Sequence, residues 1–284
     1  MGKFTLATFN ANSIRARLPA VLEWTKKQAP DVLCLQECKV QEKDFPFAAF
    51  QPLGYTALYR GQKAYNGVAV ITRHPADGIR TGLYEGTEEE ARFISATIRR
   101  IPVVNVYVPQ GVAPGTEKFG YKLRWLKDLL AHLSQHYNSE TPLLVTGDFN
   151  VALEARDVYD PEALRGEVGF HPEEQSILRE FLSWGLVDVF RKHRPEGGLY
   201  TFWDYRIPNA LKRKMGWRID YIFATPPLAQ KSKSVWIDLE ARTAEKPSDH
   251  TFLDRRLIFS QGAGRVSEPL ESQSAHSMRR AIER

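Results

Sequence analysis

"PLLVTGDFN", residues 142–150, sets an apolar run of Leu143, Leu144 and Val145 between a proline and a glycine, then follows it with Asp148 and Asn150. A short apolar run with such boundaries reads as a buried strand. A carboxylate and an amide at its end need partners, because an unsatisfied buried polar group costs several kcal/mol or shifts its pKa. The stretch places a core strand and asks what its polar end holds.

Outward from it, strand-like and helix-like runs alternate. "KFTLATFN" (3–10) and "DVLCLQE" (31–37) read as strands around the helical "RLPAVLEWTKKQAP" (17–30), which closes on a proline. "GVAVITR", "RFISATIRR" and "PVVNVYVPQG" make a β-rich middle, with a hairpin turn at Arg99 to Pro102. Apolar spacing near i, i+3, i+4 and i+7 marks "KFGYKLRWLKDLLAHLSQHY" (118–137) as an amphipathic helix. "HPEEQSILREFLSWGLVDVFR" (171–191) is another, with acids in its first turn and Gly185 near its end. "LYTFWDYR", "WRIDYIFAT" and "SVWIDLEA" return to strand character. Hairpins together with crossovers predict an α/β fold of two mixed sheets packed together and flanked by helices. The expected domain covers residues 1–260, and the polar, Gly/Ser-rich 261–284 is expected to be a disordered tail.

Of the 284 residues, 43% are apolar and 26% charged, an ordinary globular balance with enough chain for a large core. No apolar run approaches the 18 residues of a membrane span, so a soluble, membrane-free, cytoplasmic protein is expected. Two cysteines, Cys34 and Cys38, are too few for a disulfide framework or a thiolate zinc site and are expected to be reduced. The net charge of +5 suits a polyanionic partner such as nucleic acid without requiring one.

Polar groups cluster at the ends of the expected core strands: Asn10 and Asn12, Glu37, Tyr107, Asp148 and Asn150, then Asp220 in "RIDYIF" and Asp249-His250 in "KPSDH". In open α/β sheets such ends converge on the ligand crevice. Carboxylates and amides together suit a hard cation, Mg²⁺ or Mn²⁺, completed by water and substrate phosphate. The chemistry this allows is hydrolysis of a phosphate ester. His250 could bind a phosphate oxygen or act as base, with Asp220 fixing its tautomer. Asp148 could orient or activate water, with Asn150 holding both Asp148 and the phosphate. Taken alone, "SDH" is usually a loop or cap and "GDFN" a turn; the force lies in their conjunction and order.

"TFNANSIRAR", "PDVLCLQECKV", "GVAVIT", "NVYVPQG", "VTGDFNVA", "LSWGLVDVFR", "TFWDYR", "GWRIDY" and "EKPSDHT" together resemble the exonuclease III-type AP endonucleases of the endonuclease/exonuclease/phosphatase superfamily. The resemblance implies a four-layered α/β sandwich and a monomeric, Mg²⁺-dependent enzyme acting on duplex DNA. Such enzymes cut 5′ to an abasic site, leaving a 3′-hydroxyl, and many also clean blocked 3′ ends or degrade a strand 3′ to 5′. It implies cytoplasmic work near the nucleoid, or nuclear work in a eukaryote. Glu37 would then be the principal metal ligand with Asn10 and Asp249 nearby, and Asp148, Asn150 and His250 bordering the ion. Asp148 would prepare the nucleophile or protonate the leaving group, Asn150 and Tyr107 would hold the phosphate, and His250 would pair with Asp220. Asn12, Arg15, Tyr65, Asn66, Gly67 and Gln110 match DNA-contacting segments. Phe202, Trp203 and Trp217 match the aromatic pocket for a base-free sugar, which rejects a normal nucleotide by size. The basic "LKRKMGWR" beside it, with Lys212, Arg213, Lys214 and Arg218, reads as a phosphate-binding strip.

Inositol-polyphosphate phosphatases, sphingomyelinases and deoxyribonuclease I-like nucleases share the phosphate-handling groups, and "TFWDYR" with "GWRID" separates this chain from them. A binding protein with a dead site would need a broken constellation, and every position here holds a competent residue. Against the family pattern, "SDHTFLDRRLIFSQ" places Asp254, Arg255 and Arg256 where an apolar strand should continue, leaving that strand's register open.

Overall fold

The structure, a computed structural model, describes residues 2–83, 90–243 and 245–259. The expected tail at 261–284 lies outside them. In chain order the elements are β1 (Gly2–Asn10), α1 (Ile14–Gln28), β2 (Val32–Gln36), α2 (Phe47–Phe50), β3 (Thr56–Arg60), β4 (Val68–Thr72), β5 (Ala76–Arg80), β6 (Phe93–Ile98) and β7 (Ile101–Tyr107). They continue with α3 (Glu117–His136), β8 (Leu144–Asp148), α4 (Pro172–Trp184), β9 (Val187–Asp188), α5 (Val189–His193), β10 (Asp220–Ala224), α6 (Pro226–Ala229), β11 (Ser232–Asp238) and β12 (Phe252–Phe259).

Two six-stranded mixed sheets result, in the orders β11-β12-β1-β2-β4-β3 and β5-β6-β7-β8-β10-β9. β1 and β2 pair in parallel in the first sheet, as do β7 and β8 in the second, and the other pairings are antiparallel. Side chains alternate across each strand, so each sheet has two apolar faces to cover. Leu6, Val32, Cys34, Val70, Ile94, Val103, Leu144 and Ile222 meet between the sheets. α1 covers the outer face of the first sheet, where Trp24 stacks on Phe252. α3 and α4 cover that of the second through Trp125, Leu129, Leu133, Ile177 and Phe181. The four layers expected from the family resemblance are present.

Local chemistry sets the ends. Thr116 caps α3 by accepting the Phe119 N–H at 3.2 Å, and Pro172 opens α4, whose stop is Gly185 at φ +125°. The β6–β7 hairpin turns on Arg99 and Arg100, both at positive φ, with Pro102 already paired in β7. "LYTFWDYR" forms no strand. Its Phe202 makes only isolated bridges to Trp217 and His250, because this segment crosses the end of the sandwich.

β12 settles the open register: Leu6 faces Arg255 and Ala7 faces Asp254 in an unbroken antiparallel ladder. The strand continues through Asp254 and Arg255 by burying both. Arg255 is fully enclosed, donates to the Leu228 carbonyl at 2.9 Å, and is pushed down to about 9 by that burial.

Candidate active site

Strand register assembles the site. Tyr107 lies opposite Asp148 in the parallel β7–β8 pair, and Asp148 opposite Asp220 in the antiparallel β8–β10 pair, giving one row of three functional groups. Gly147 permits that row. It sits at φ +135°, and a Cβ there would stand 2.0 Å from the Val106 carbonyl oxygen, so no other residue lets β8 lie so close to β7. In the other sheet Asn10 is level with Gln36, and Glu37 turns out of the strand at φ +49°. Asn12, Ser13, Lys39, Asn66 and Asn150 also take positive φ, a costly backbone for residues other than glycine.

The two rows meet. Asn10 donates through Nδ2 to Glu37 Oε1 at 2.7 Å and Asp148 Oδ2 at 2.8 Å, bridging carboxylates from the two sheets. Its Oδ1 accepts the Asn12 N–H at 2.9 Å, and Asn12 Nδ2 donates to Asp249 Oδ1 at 3.0 Å. His250 Nδ1 lies 2.9 Å from Asp220 Oδ2, and Nε2 lies 3.7 Å from Asp148 Oδ2. Asn150 turns left-handed at φ +52°, donates its N–H to Asp148 Oδ1 at 2.8 Å, and anchors Nδ2 on the Val108 carbonyl at 2.9 Å.

Burial and neighbouring charge set the protonation. Burial raises the Asp148 carboxyl, and Asp220 and Glu37 push the same way against His250 and Asn10. Burial alone would strip the His250 proton, but Asp220, Asp148 and Asp249 hold it in place, pushing the imidazole up to about 10. Burial likewise opposes ionisation of Glu37, yet Lys39 and Asn10 keep it below the usual carboxylate range. Tyr107, enclosed beside Glu37 and Asp148, stays a neutral phenol, its ring covered by the Arg92 guanidinium at 4.7 Å. A buried carboxylate that resists ionising beside a histidine that resists losing its proton is a poised acid–base pair.

Glu37, Asp148 and His250 each offer a donor atom within 4.8 Å of the others. Two carboxylate oxygens aimed at one point suit a hard divalent cation that keeps water or substrate oxygens in its remaining positions. Asn10, in this arrangement, orients both carboxylates.

The expected DNA-facing residues divide. Arg15 is exposed and pairs with Asp44 at 3.3 Å, and Tyr65 is 70% exposed. The carbonyls of Asn66 and Gly67 accept the N–H groups of Lys39 and Cys38, tying that loop to the Glu37 turn. Gln110 is exposed, its Oε1 accepting the Val112 N–H at 2.7 Å. Phe202 and Trp217 exchange backbone hydrogen bonds and join Ala152, Val158, Phe170 and Ile219 in one apolar cluster. The Phe202 ring stands 4.9 Å from that of His250, so the cluster adjoins the acid–base pair.

Two expectations are corrected. Trp203 is 4% exposed and packs with Tyr200 and Ala210 in a separate cluster; successive side chains on extended backbone point opposite ways, so Phe202 facing His250 turns Trp203 away. Arg218 belongs to no phosphate strip. It is fully buried, bonded to Asp157 at 2.7 and 3.0 Å and paired with Asp188 at 2.8 Å, while Lys212, Arg213 and Lys214 are exposed. Sequence reasoning also missed Lys39, whose Nζ contacts Glu37 Oε2 at 2.9 Å and Asn12 Oδ1 at 2.5 Å. It missed Arg92 and Ile219 as well; only the i+2 spacing of Ile219 from Trp217 hinted at a shared face. Cys34 and Cys38 are buried free thiols, as expected.

The family model of the endonuclease/exonuclease/phosphatase family matches residues 7–250. Exodeoxyribonuclease III of Haemophilus influenzae is 34% identical over 259 residues, spanning 86% of this chain and 96% of its own. The solved AP endonuclease of Archaeoglobus fulgidus is 41% identical with a TM-score of 0.86, covering 89% of this chain and 98% of its own. A 3′ phosphatase from Neisseria bound to a product DNA hairpin is 35% identical at the same TM-score of 0.86, covering 90% of this chain and 100% of its own. With strand order, polar row and likeness in agreement over most of its length, the chain belongs to the endonuclease/exonuclease/phosphatase family.

Proposed function

We propose that this protein is a Mg²⁺-dependent DNA-repair hydrolase that cleaves the phosphodiester 5′ to an abasic site in duplex DNA, leaving a 3′-hydroxyl. The same site would clean blocked 3′ ends, and the likeness to the 3′ phosphatase from Neisseria favours that second use. The observation that carries the reading is the partly exposed Phe202 and Trp217, backed by buried Ile219, with the Phe202 ring against His250. Phosphate chemistry alone needs no such surface, whereas a base-free sugar turned out of the helix does.

Glu37 and Asp148 would hold the cation, with Asp249 behind Asn12. When bound, the cation neutralises charge on the phosphoryl oxygens and steadies the leaving oxygen. Asp148, with its raised proton affinity, takes the proton of the attacking water and can return it to the leaving oxygen. His250, charged and fixed by Asp220, donates Nε2–H to a phosphate oxygen. Asn150 and the neutral Tyr107 phenol donate to the charge that develops. The exposed Arg15, Lys212, Arg213 and Lys214 supply sequence-independent backbone attraction.

The test uses labelled duplexes carrying one abasic analogue, a 3′-phosphate, or no damage, each with Mg²⁺ and with EDTA. Metal-dependent cutting on the 5′ side of the lesion, with the undamaged duplex spared, is expected. Equal cutting of damaged and undamaged duplexes would remove lesion selectivity, and inert duplexes would refute the nuclease reading.

A further inference from the structure

Behind the site, one buried ion pair joins three loops. Lys122 on α3 and Glu174 on α4 are both without side-chain exposure and face each other, Nζ against Oε1. The remaining Lys122 bonds go to main-chain carbonyls: Asn150 O at 2.7 Å and Gln110 O at 3.1 Å. An ammonium has three donors and no acceptor; two are used on carbonyls, and the carboxylate pairs with the charge. Glu174 Oε2 accepts the N–H groups of Gly169 at 2.8 Å and His171 at 3.1 Å. The lysine stem runs beneath Gly111, where a Cβ would stand 3.0 Å from Cδ.

Gly169 closes the arrangement. It accepts the Ala152 N–H at 2.7 Å, and a Cβ on it would stand 3.3 Å from both the Asn150 carbonyl oxygen and the Trp217 indole. The pair therefore ties the turn bearing Asn150, the loop bearing Gln110 and the segment packed against Trp217. Fold stability does not demand it, since apolar residues of similar volume usually replace a buried ion pair at no loss. What apolar residues cannot do is terminate two carbonyls from different loops at one point. Asn150 needs this most: its left-handed backbone is held by the Asp148 bond on its N–H side and by Lys122 on its carbonyl side.

We propose that Lys122 and Glu174 are positioning residues that set Asn150 relative to the Trp217 cluster, so that the scissile phosphate and the extruded sugar are gripped in register. The proposal rests on the phosphodiesterase reading above. Misplacing a group by about 1 Å can lower turnover about 100-fold.

The experiment compares Lys122→Met/Glu174→Gln with Asn150→Ala and with the triple variant, measuring kcat, KM and Tm on the abasic duplex with Mg²⁺. Neutralising both partners leaves no unpaired buried charge but removes the donor to two buried carbonyls, so the double variant is expected to stay folded with a Tm lowered by several degrees. Its kcat is expected to fall about 100-fold while KM moves less than about threefold. Adding the pair to Asn150→Ala is expected to lower kcat less than about threefold further, because the pair acts through Asn150. A folded double variant with kcat within threefold of wild type would overturn the proposal, as would a full second loss on the Asn150→Ala background. Should the double variant not fold, Lys122→Arg replaces it. That change keeps the charge pair but displaces the two carbonyls, and unchanged kcat there also overturns the proposal. If wild type spares the abasic duplex yet trims 3′ ends, the lesion reading fails and the same variants are measured on 3′ ends. A wild type that hydrolyses neither overturns both.

Discussion

Replacing Asp220 by asparagine keeps the size of the group beside His250 and removes one charge. The imidazole Nδ1 lies 2.9 Å from Asp220 Oδ2, which puts the charge centres about 4 Å apart. At an effective dielectric of about 20 that attraction is worth about 4 kcal/mol, or about 3 pH units of proton affinity. His250 holds its proton up to about 10 because Asp220, Asp148 and Asp249 together outweigh burial. In Asp220→Asn it should lose the proton near pH 7. Wild type, with a folded value above the unfolded one of about 6.5, keeps this contribution to stability below pH 6.5 and loses it only as pH rises through 10. The variant should therefore lose both charge and stabilisation near neutrality. If charged His250 steadies the phosphate, the wild-type-to-variant ratio of kcat/KM should grow about 100-fold between pH 6 and pH 9. Initial rates across that range, with Tm at each pH, read it directly. A ratio constant with pH would refute the reasoning, because it would mean that the catalytically competent His250 does not depend on Asp220 for its proton.

Asp148→Asn should lower cleavage about 10²–10⁴-fold while raising Tm at pH 8. Folding disfavours the ionised carboxyl, whose raised pKa costs stability increasingly as pH rises, and the amide escapes that cost; a lowered Tm would count against the assigned environment. Glu37→Ala should raise the half-saturating Mg²⁺ concentration and abolish Mg²⁺-dependent thermal stabilisation, and an unmoved half-saturation point would remove Glu37 from the ion's ligands. Asp157→Asn should destabilise by about 3–5 kcal/mol and lower Tm by roughly 6–20 °C at pH 7, because Arg218 is left buried with one fewer charged partner. Burial opposes ionisation of Asp157 but Arg218 and Arg191 depress its pKa, so its contribution is present above about pH 4 and lost as pH falls through the lower folded value. Urea melts at pH 7 and pH 3 should show the difference narrowing on the acid side.

The polar groups that gather at one end of the sandwich were legible because strand ends advertise themselves: an apolar run that stops on Asp, Asn or Glu has one direction for its polar end. Neighbours that act across loops were not. Lys39 gains meaning only when the Glu37 turn brings it to Asn12, and Lys122 reads as an ordinary helix lysine until Asn150 and Gln110 fold over it. Trp203 and Arg218 were misplaced for a shared reason. Each stands next to a residue of the apolar cluster, Phe202 or Trp217, and on extended backbone such adjacency places a side chain on the opposite face. The charged start of β12 was unreadable because its burial depends on a carbonyl of α6 far away in sequence.

The polar groups between the sheets explain why the separate strand ends make one site. Gln36 Nε2 donates to Asn105 Oδ1 at 2.6 Å and to Thr8 Oγ1 at 2.9 Å, and Asn105 Nδ2 donates to the Leu35 and Ala69 carbonyls at 3.0 and 2.8 Å. This is a buried amide bridge between β2 and β7, immediately below Glu37 on one side and two residues from Tyr107 on the other. Apolar packing between the sheets tolerates sliding, since Val and Ile interdigitate in several offsets, but these directional bonds are satisfied in only one. A one-residue slip would also turn Asp148 or Asn10 to the wrong face. The bridge therefore fixes Asn10 and Glu37 of one sheet against Asp148 of the other. That alignment lets a single amide, Asn10 Nδ2, reach both carboxylates and gathers donors from both sheets around one point.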